Sequence, residues 1–241
     1  MKNFKRGLRR LSHLAIRPGF HKPMLLLLSP TRRLEHRLVR TLYRKALEAG
    51  FSMIRNSYNV RPNSIHSDKY LNLWPTLAEA VRQARRLRLL DSYGLRILDL
   101  GCGTGCFLYA GQCFGHDVLG LDVDTDPIYN DMTRILRVPR IVHTIRPFEH
   151  LPDLGPPFDL ITAFSICFDC HDSSDIWLED QWTFFLDDCR RRLAPRGRLY
   201  FQFNPATRQD FEFLPDGVAA MMRRLPGATL SRNKELLLIQ T

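Results

Sequence analysis

The sequence has no long apolar run, and this absence excludes a membrane-spanning helix. Such a helix needs about 18 to 20 consecutive apolar residues, whereas the longest apolar run near the start covers only Met24–Leu28. Internal repeats and low-complexity tracts are also lacking, which excludes solenoid architectures. Because no secretory signal is evident, we expect a cytoplasmic protein, with a peripheral position at a membrane as the alternative.

No secretory signal accompanies the cysteines, so no disulfide framework is predicted. The six cysteines are expected to be reduced thiols. Cys167-Phe168-Asp169-Cys170-His171 matches the C-x-x-C-H pattern of haem attachment, but haem attachment normally needs export and no second ligand pair is evident for zinc. We therefore predict no metal site.

Charge divides the chain into two parts. Residues 1–90 contain 20 Lys and Arg against 4 Asp and Glu, whereas residues 91–241 contain 15 against 21. The length suits one full domain and an extension, or two small units. We predict a basic N-terminal region over residues 1–90, on the substrate side, and a second domain over residues 91–241.

The first residues carry positive charge and no negative charge. Residues 1–28 contain no acid, and Phe4, Leu8, Leu11 and Leu14 recur at helical spacing among Lys and Arg. This pattern is typical of a solvated arm, but it also suits contact with nucleic acid or an anionic membrane surface through residues 1–45.

The rest of the basic region is predicted to be helical. Thr31–Ala49 has an apolar stripe that ends before Gly50, and Phe51–Trp74 is turn-rich without a clear period. Thr76 and Glu79 have the spacing of a capping box, which predicts a second helix to about Leu90.

After Asp91, strand and helix patterns alternate, which predicts a three-layer α/β fold with a doubly wound, mostly parallel seven-stranded sheet and an antiparallel last strand. Helices are predicted over Ile176–Leu193 and Pro215–Leu225. The predicted strands are Arg96–Leu100, Asp117–Leu121, Arg140–His143, Phe158–Phe164, Gly197–Asn204, Ala228–Ser231 and Glu235–Gln240.

A glycine-rich turn follows the first of these strands. Ile97–Gly105 reads as an apolar strand, a G-x-G-x-G turn and a helix start. Glycine lets the backbone approach a ligand closely, and the helix presents free N–H groups to it. Asp122 ends the second strand, where a carboxylate can accept hydrogen bonds from both hydroxyls of a ribose.

These motifs resemble those of class I S-adenosylmethionine-dependent methyltransferases. Arg146–Pro152 resembles the stretch beside the adenine, Phe158–Ile161 the fourth strand, and Leu193–Leu199 the turn before the fifth. The resemblance implies S-adenosylmethionine as the cofactor, with Asp122 at the ribose and Asp99 at the loop and the methionine end. The cofactor-binding residues that it implies are Asp99, Gly101, Cys102, Gly103, Gly105, Asp122, Val123, Phe148, Glu149 and Phe164.

The same resemblance places the loop after the fourth strand beside the transferred methyl group. His171 is the predicted general base because imidazole titrates near neutral pH, and Asp169 and Asp172 are the alternatives. This loop lacks the [DN]-P-P-[YFW] sequence of nucleic-acid amino methyltransferases. Trp74, Trp177 and Trp182 suit either core packing or an aromatic substrate pocket.

The sequence thus predicts an enzyme that transfers a methyl group by in-line displacement to a small-molecule or lipid-linked acceptor. The alternatives are methylation of RNA or protein with the help of the basic region, and a regulatory protein that binds the cofactor without catalysis.

Overall fold

The computed structural model describes residues 30–60, 70–166, 176–203 and 214–240. The chain divides into two compact units, residues 1–38 and residues 39–241, and the second unit contains the whole sheet. The division into functional regions at residue 90 stays a prediction. The predicted amphipathic helix of residues 1–28 lies outside the described residues.

Three helices are described in the front third, namely α1 (Pro30–Glu48), α2 (Phe51–Val60) and α3 (Leu73–Arg86). α1 and α3 lie close to their predicted positions, whereas α2 shows that the prediction of a turn-rich segment was wrong over Phe51–Val60. Phe51, Ile54 and Tyr58 are buried, and their spacing places them on one helix face. Three apolar residues form too short a pattern for the helix to be recognised from the periodicity of the sequence.

The start of α3 differs from the predicted capping box. The helix begins at Leu73, and Thr76 lies inside it, where its Oγ1 donates to the Asn72 carbonyl at 3.4 Å. Glu79 pairs with Arg82 instead of reaching back. Leu73 is only 1% exposed. The helix therefore begins at this buried residue, before the start that the Thr76 and Glu79 spacing predicted.

Within the second unit, the front helices pack on the helices that flank the sheet. α3 contacts α4 (Cys106–Cys113). From α2, the Tyr58 hydroxyl donates to Asp131 Oδ2 at 3.0 Å, and Asp131 belongs to α5 (Pro127–Leu136). The front helices after residue 38 therefore share one compact unit with the α/β fold.

Seven strands form one sheet in the spatial order β3-β2-β1-β4-β5-β7-β6. Neighbours among the first five strands are parallel, and β7 runs antiparallel to both β5 and β6. The predicted fold class is confirmed. The strands are β1 (Arg96–Leu100), β2 (Asp117–Asp122), β3 (Arg140–Val142), β4 (Phe158–Phe164), β5 (Leu193–Gln202), β6 (Ala228–Leu230) and β7 (Leu236–Gln240).

β5 begins at Leu193, four residues before the predicted Gly197. Its start is irregular, because Arg196 has a left-handed φ of +66° and the pairing with β4 shifts register. At Gly197 a Cβ atom would lie 2.8 Å from the carbonyl oxygen of Ala194. The tight turn at Arg196 and Gly197 is therefore part of β5, and it requires glycine at residue 197.

The order of the strands shows where a ligand is expected. From β1 the chain proceeds outward through β2 to β3, and from β4 it proceeds to β5 on the other side, so the order reverses between β1 and β4. In open α/β sheets, ligands bind at such a reversal, outside the carboxyl ends of the strands. The fold therefore directs attention to the residues that follow β1, β2 and β4.

An aromatic core fills the space between the sheet and α6 (Glu179–Arg191) and α7 (Asp216–Arg224). Trp177 and Trp182 are 3% and 1% exposed, and their rings pack edge to face with centroids 5.2 Å apart. Burial of such a side chain stabilises the fold by about 1.5–3 kcal/mol. These two tryptophans are therefore core residues and do not form a substrate pocket.

Candidate functional site

A loop of alternate glycines connects β1 to α4. Gly101, Gly103 and Gly105 have φ angles of +70°, +52° and +72°, in the left-handed region that favours glycine. The Gly101 amide donates to the Leu121 carbonyl at 2.7 Å, which fixes the loop to the end of β2. At Gly101 a Cβ atom would lie 2.7 Å from Ile166 Cδ1, so space as well as conformation requires glycine there.

The carboxylate of Asp122 joins the end of β2 to this loop. Oδ2 accepts a hydrogen bond from the Gly103 N–H, and Oδ1 accepts one from the Val123 N–H at 2.7 Å. A carboxylate oxygen has room for a second donor, so each oxygen can still accept from a vicinal diol. The structure thus brings together three of the predicted cofactor residues.

The ionisation of Asp122 reflects a balance of burial and hydrogen bonding. Burial raises the pKa of this carboxyl, while the two backbone N–H donors and the charge of Arg140 act to lower it. Only the ionised carboxylate presents acceptors alone. We therefore expect a ligand that donates two hydroxyls to bind less well in acid.

Asp99 lies in β1, before the loop, and is 3% exposed. The Thr162 hydroxyl of β4 donates to its Oδ1 at 2.7 Å. Burial is the main reason that the pKa of Asp99 rises from 3.8 to about 8; the charge of Asp122 adds to the rise, and the Thr162 hydrogen bond opposes it. At neutral pH the carboxyl of Asp99 is therefore mostly protonated.

Replacing Asp99 by Asn is expected to raise the free energy of unfolding at pH 8 and to leave it almost unchanged near pH 4. A carboxyl whose pKa is higher in the folded state stabilises the fold fully below the unfolded pKa, and this contribution is lost as pH rises through the folded pKa. Values of 3.8 and about 8 place the loss between pH 4 and 8, and we expect it to amount to about 2–5 kcal/mol.

Urea denaturation of wild type and variant at several pH values measures this difference. Asn keeps the acceptor for Thr162 and carries no charge at any of these pH values. Asp91→Asn is the matched control, because the Asp91 side chain is 63% exposed. Parallel pH dependence in wild type and Asp99→Asn would contradict the neutral carboxyl.

Cys102 packs its thiol against β2. A Cβ atom on Gly120 would lie 2.6 Å from Cys102 Sγ, so the two residues fit only because one is glycine. Burial, together with the charges of Asp99 and Asp122, raises the pKa of this thiol well above its usual range. The thiol is therefore unreactive, and the predicted cofactor role of Cys102, through its backbone, stays a prediction.

The predicted adenine-side residues contact α6 and their own loop. Phe148 has a φ of +59°, is 53% exposed and meets the Phe184 ring of α6 at 5.9 Å. Glu149 lies 3.5 Å from Arg146. These contacts do not join either residue to the glycine loop, so their role at the cofactor stays a prediction.

Asp188 of α6 anchors that adenine-side loop. Its Oδ1 lies 2.9 Å from His150 Nδ1, and its Oδ2 accepts from the Leu151 N–H at 2.9 Å and from Arg192 Nε at 3.3 Å. Burial acts to raise the pKa of Asp188, but these hydrogen bonds and the Arg192 charge outweigh burial and lower it. The chain immediately after Phe148 is therefore fixed to α6.

The end of β4 supplies two side chains near the glycine loop. The Phe164 ring packs on Phe107 of α4 at 4.7 Å and on Tyr200 of β5 at 5.9 Å. Ile166 lies directly against Gly101. Phe164 is a predicted cofactor residue and remains one, whereas Ile166 was missed because isoleucine after a strand carries no chemical signal.

Two tyrosines that the sequence did not single out lie beside Gly103. A Cβ atom on Gly103 would lie 3.8 Å from the Tyr70 hydroxyl and 3.9 Å from Tyr129 Cε1, and the two rings are 5.7 Å apart. Burial, followed by the presence of Tyr70, raises the pKa of Tyr129. The front third of the chain therefore reaches the glycine loop through Tyr70, which no motif indicated.

The predicted catalytic residues His171, Asp169 and Asp172 lie outside the described residues, as does the C-x-x-C-H pattern. Their roles stay predictions. In the four described ranges, no group of His, Cys, Asp and Glu is arranged to hold a metal ion. No helix in those ranges is both long enough and apolar enough to cross a membrane.

Comparison with known proteins agrees with this geometry. Residues 98–201 match the family model of a methyltransferase domain. The ubiquinone biosynthesis O-methyltransferase of Photobacterium profundum is 22% identical over 144 residues, which are 59% of this chain and 57% of that protein. The dTDP-4-amino-2,3,4,6-tetradeoxy-D-glucose N,N-dimethyltransferase of Saccharopolyspora spinosa is 35% identical over 106 residues, which are 44% of this chain and 39% of that protein. The chain thus spans about half the length of these relatives or less.

Among solved structures, a TehB-like SAM-dependent methyltransferase from Corynebacterium glutamicum is similar at a TM-score of 0.49 and 23% identity, over 72% of this chain and 95% of that one. The family match itself includes the glycine loop, Asp122 and the end of β4. Residues 98–201 therefore match a methyltransferase domain, in agreement with the S-adenosylmethionine-dependent family and the cofactor that the motifs implied.

Proposed function

We propose that the protein transfers a methyl group from S-adenosylmethionine to a small-molecule or lipid-linked acceptor by in-line displacement. The observation that carries the proposal is the Asp122 carboxylate, which accepts from both Gly103 and Val123 and can accept one further hydrogen bond on each oxygen. Two neighbouring acceptors at the end of β2 suit the two hydroxyls of a ribose.

The remaining cofactor residues are assigned around this carboxylate. The backbone of Gly101, Cys102, Gly103 and Gly105 would lie along the cofactor. Asp99 would support the loop at the methionine end, with Phe164 beside it. Phe148 and Glu149 would contribute on the adenine side. Three loop glycines hold left-handed φ angles, and the absence of side chains there lets the backbone approach the cofactor closely.

The cofactor, when bound, supplies a methyl group on a sulfonium, whose sulfur is a good leaving group. The residues of the chain then need only to align the acceptor and keep water away. Ile166 covers Gly101 with apolar surface, which favours exclusion of water at that point. If the acceptor is a hydroxyl or an ammonium, His171 would take its proton, with Asp169 or Asp172 as the alternatives.

The acceptor class rests on two observations. The relatives are named for ubiquinone biosynthesis and for an amino-sugar nucleotide, both small-molecule chemistry. The chain also lacks the [DN]-P-P-[YFW] sequence after β4. The excess of positive charge in residues 1–90 favours RNA or protein as the second candidate.

Parallel assays with different acceptor classes test the proposal. The full chain is incubated with S-adenosylmethionine and, separately, a phenolic quinone precursor, an amino-sugar nucleotide, total RNA or a ribosomal protein fraction, and S-adenosylhomocysteine is measured. We expect product with one of the two small molecules. Product only with RNA or protein would overturn the acceptor class, and tight cofactor binding with no product from any acceptor would favour a regulatory protein.

A further inference from the structure

Arg140 is a buried cation beside the candidate site. It lies in β3, at the edge of the sheet, and its side chain is only 4% exposed. A guanidinium stays charged in proteins, so burial is tolerable only when hydrogen-bond acceptors surround it. The acceptors that Arg140 contacts lie in the loop after β2 and in α5.

The guanidinium binds three groups of that loop and helix. Nη1 donates to the Val123 carbonyl at 3.4 Å, and Nη2 donates to Asp124 Oδ1 at 3.2 Å. Nη2 also donates to Asn130 Oδ1, and the Asn130 amide donates to Asp124. A planar group with several donors can make all these contacts together, whereas a lysine cannot.

Val123 connects Arg140 to Asp122, the candidate cofactor-binding acid. Its N–H donates to Asp122 Oδ1 at 2.7 Å, while its carbonyl accepts from Arg140. The same carboxylate accepts from the Gly103 N–H. A continuous series of contacts therefore runs from Arg140 through Val123 and Asp122 to the glycine loop.

The charge of Arg140 acts on the same carboxylate. Burial raises the pKa of Asp122, and Arg140 opposes that rise. No positive charge comes from the neighbouring groups Asp99, Asp126 and Tyr129. The region also contains titratable groups from each element around it: Tyr70 before α3, Asp99 of β1, Cys102 of the glycine loop, Asp124 and Asp126 after β2, Tyr129 of α5 and His143 after β3.

We propose that Arg140 is a positioning residue that fixes the loop after β2, and through Val123 the Asp122 carboxylate, in the shape that receives the ribose of the cofactor. The proposal rests on the proposed function, in which Asp122 binds that ribose. Arg140 is given no contact with the cofactor; it acts through the loop contacts and through its charge on Asp122.

The test measures S-adenosylhomocysteine binding by calorimetry between pH 5.5 and 9 for full-length variants. Arg140→Met and Arg140→Gln should weaken binding by about 10- to 50-fold at neutral pH. In both variants, the pH below which affinity falls should be higher than in the wild type. Without the cation, the Asp122 carboxyl stays protonated up to a higher pH. Arg140→Lys should restore the position of the pH profile but only part of the affinity.

Arg134→Met is the matched control, since Arg134 lies in α5 with a 75% exposed side chain and pairs with Asp131. It should bind as the wild type does. A merely structural role for Arg140 would lower the melting temperature without moving the pH profile. Wild-type affinity and pH profile in folded Arg140→Gln would overturn the proposal.

Two further variants keep the outcomes distinct. If neither Arg140→Met nor Arg140→Gln folds, Asn130→Ala decides, because it removes an exposed partner of Arg140; we expect about 2- to 5-fold weaker binding, and wild-type binding would overturn the proposal. Asp122→Ala distinguishes failure of the proposed function from failure of the role of Arg140. Unchanged binding in Asp122→Ala defeats the proposed function, whereas weak binding there with normal Arg140 variants defeats only the role of Arg140.

Discussion

Asp122→Ala is expected to bind S-adenosylmethionine about 10- to 150-fold more weakly than the wild type, with little change in melting temperature. The carboxylate supplies charge-assisted acceptors, whose loss costs about 1.5–3 kcal/mol. Because two backbone N–H groups already fix its oxygens, the carboxylate is preorganised, and the affinity that it provides needs no rearrangement. Calorimetry with each variant measures the change.

Asn should not rescue the Asp122 position. An amide has one oxygen and one NH2 group, so its nitrogen would face either the Gly103 or the Val123 N–H, donor against donor. The control is Asp117→Asn, at the opposite end of the same strand, where the side chain is 69% exposed. Wild-type affinity in Asp122→Ala would remove this carboxylate from the cofactor site.

His171→Ala is expected to lower turnover by about 10²–10⁴-fold while the dissociation constant of the cofactor stays nearly constant. The reason is positional, because the family resemblance places the loop after β4 beside the transferred methyl group. A general base acts on the acceptor, so its removal affects the chemical step and not the binding of the cofactor. Initial rates with the acceptor found above, together with calorimetry, separate the two effects.

Asp169→Asn and Asp172→Asn, measured in parallel, show whether a neighbouring acid has the role instead. A structural histidine would give a different pattern, in which melting temperature and cofactor affinity fall together with rate. Retention of wild-type turnover by His171→Ala across pH 6–9 would exclude His171 as the base. A mechanism of alignment alone would then be favoured if both Asp variants were also active.

The central strands β1 and β4 were predictable because they are buried on both faces and so read as apolar runs ended by turn residues. β1 and β4 have the predicted bounds, and the turn after β1 was visible because its left-handed backbone angles favour glycine, which recurs there at alternate positions. Asp122 was predictable for a related reason. An acid at the carboxyl end of an apolar strand lies where ligands bind in open α/β sheets.

The surroundings of the site were not predictable, because they depend on tertiary contacts between distant segments. Tyr70 comes from a segment without a motif, yet its hydroxyl lies near Gly103. Ile166 shows no chemical signal, and Arg140 reads in the sequence as an ordinary charged residue at a strand start. Only the fold shows that its guanidinium is buried beneath the loop that holds Asp122.

A calorimetric titration of the wild-type protein with S-adenosylmethionine, S-adenosylhomocysteine and NAD tests the central claim most directly. The G-x-G-x-G loop with Asp122 predicts saturable binding of the first two, with dissociation constants on the order of micromolar, and no comparable binding of NAD. Tight binding of NAD with no heat from S-adenosylmethionine would contradict the assignment of this site.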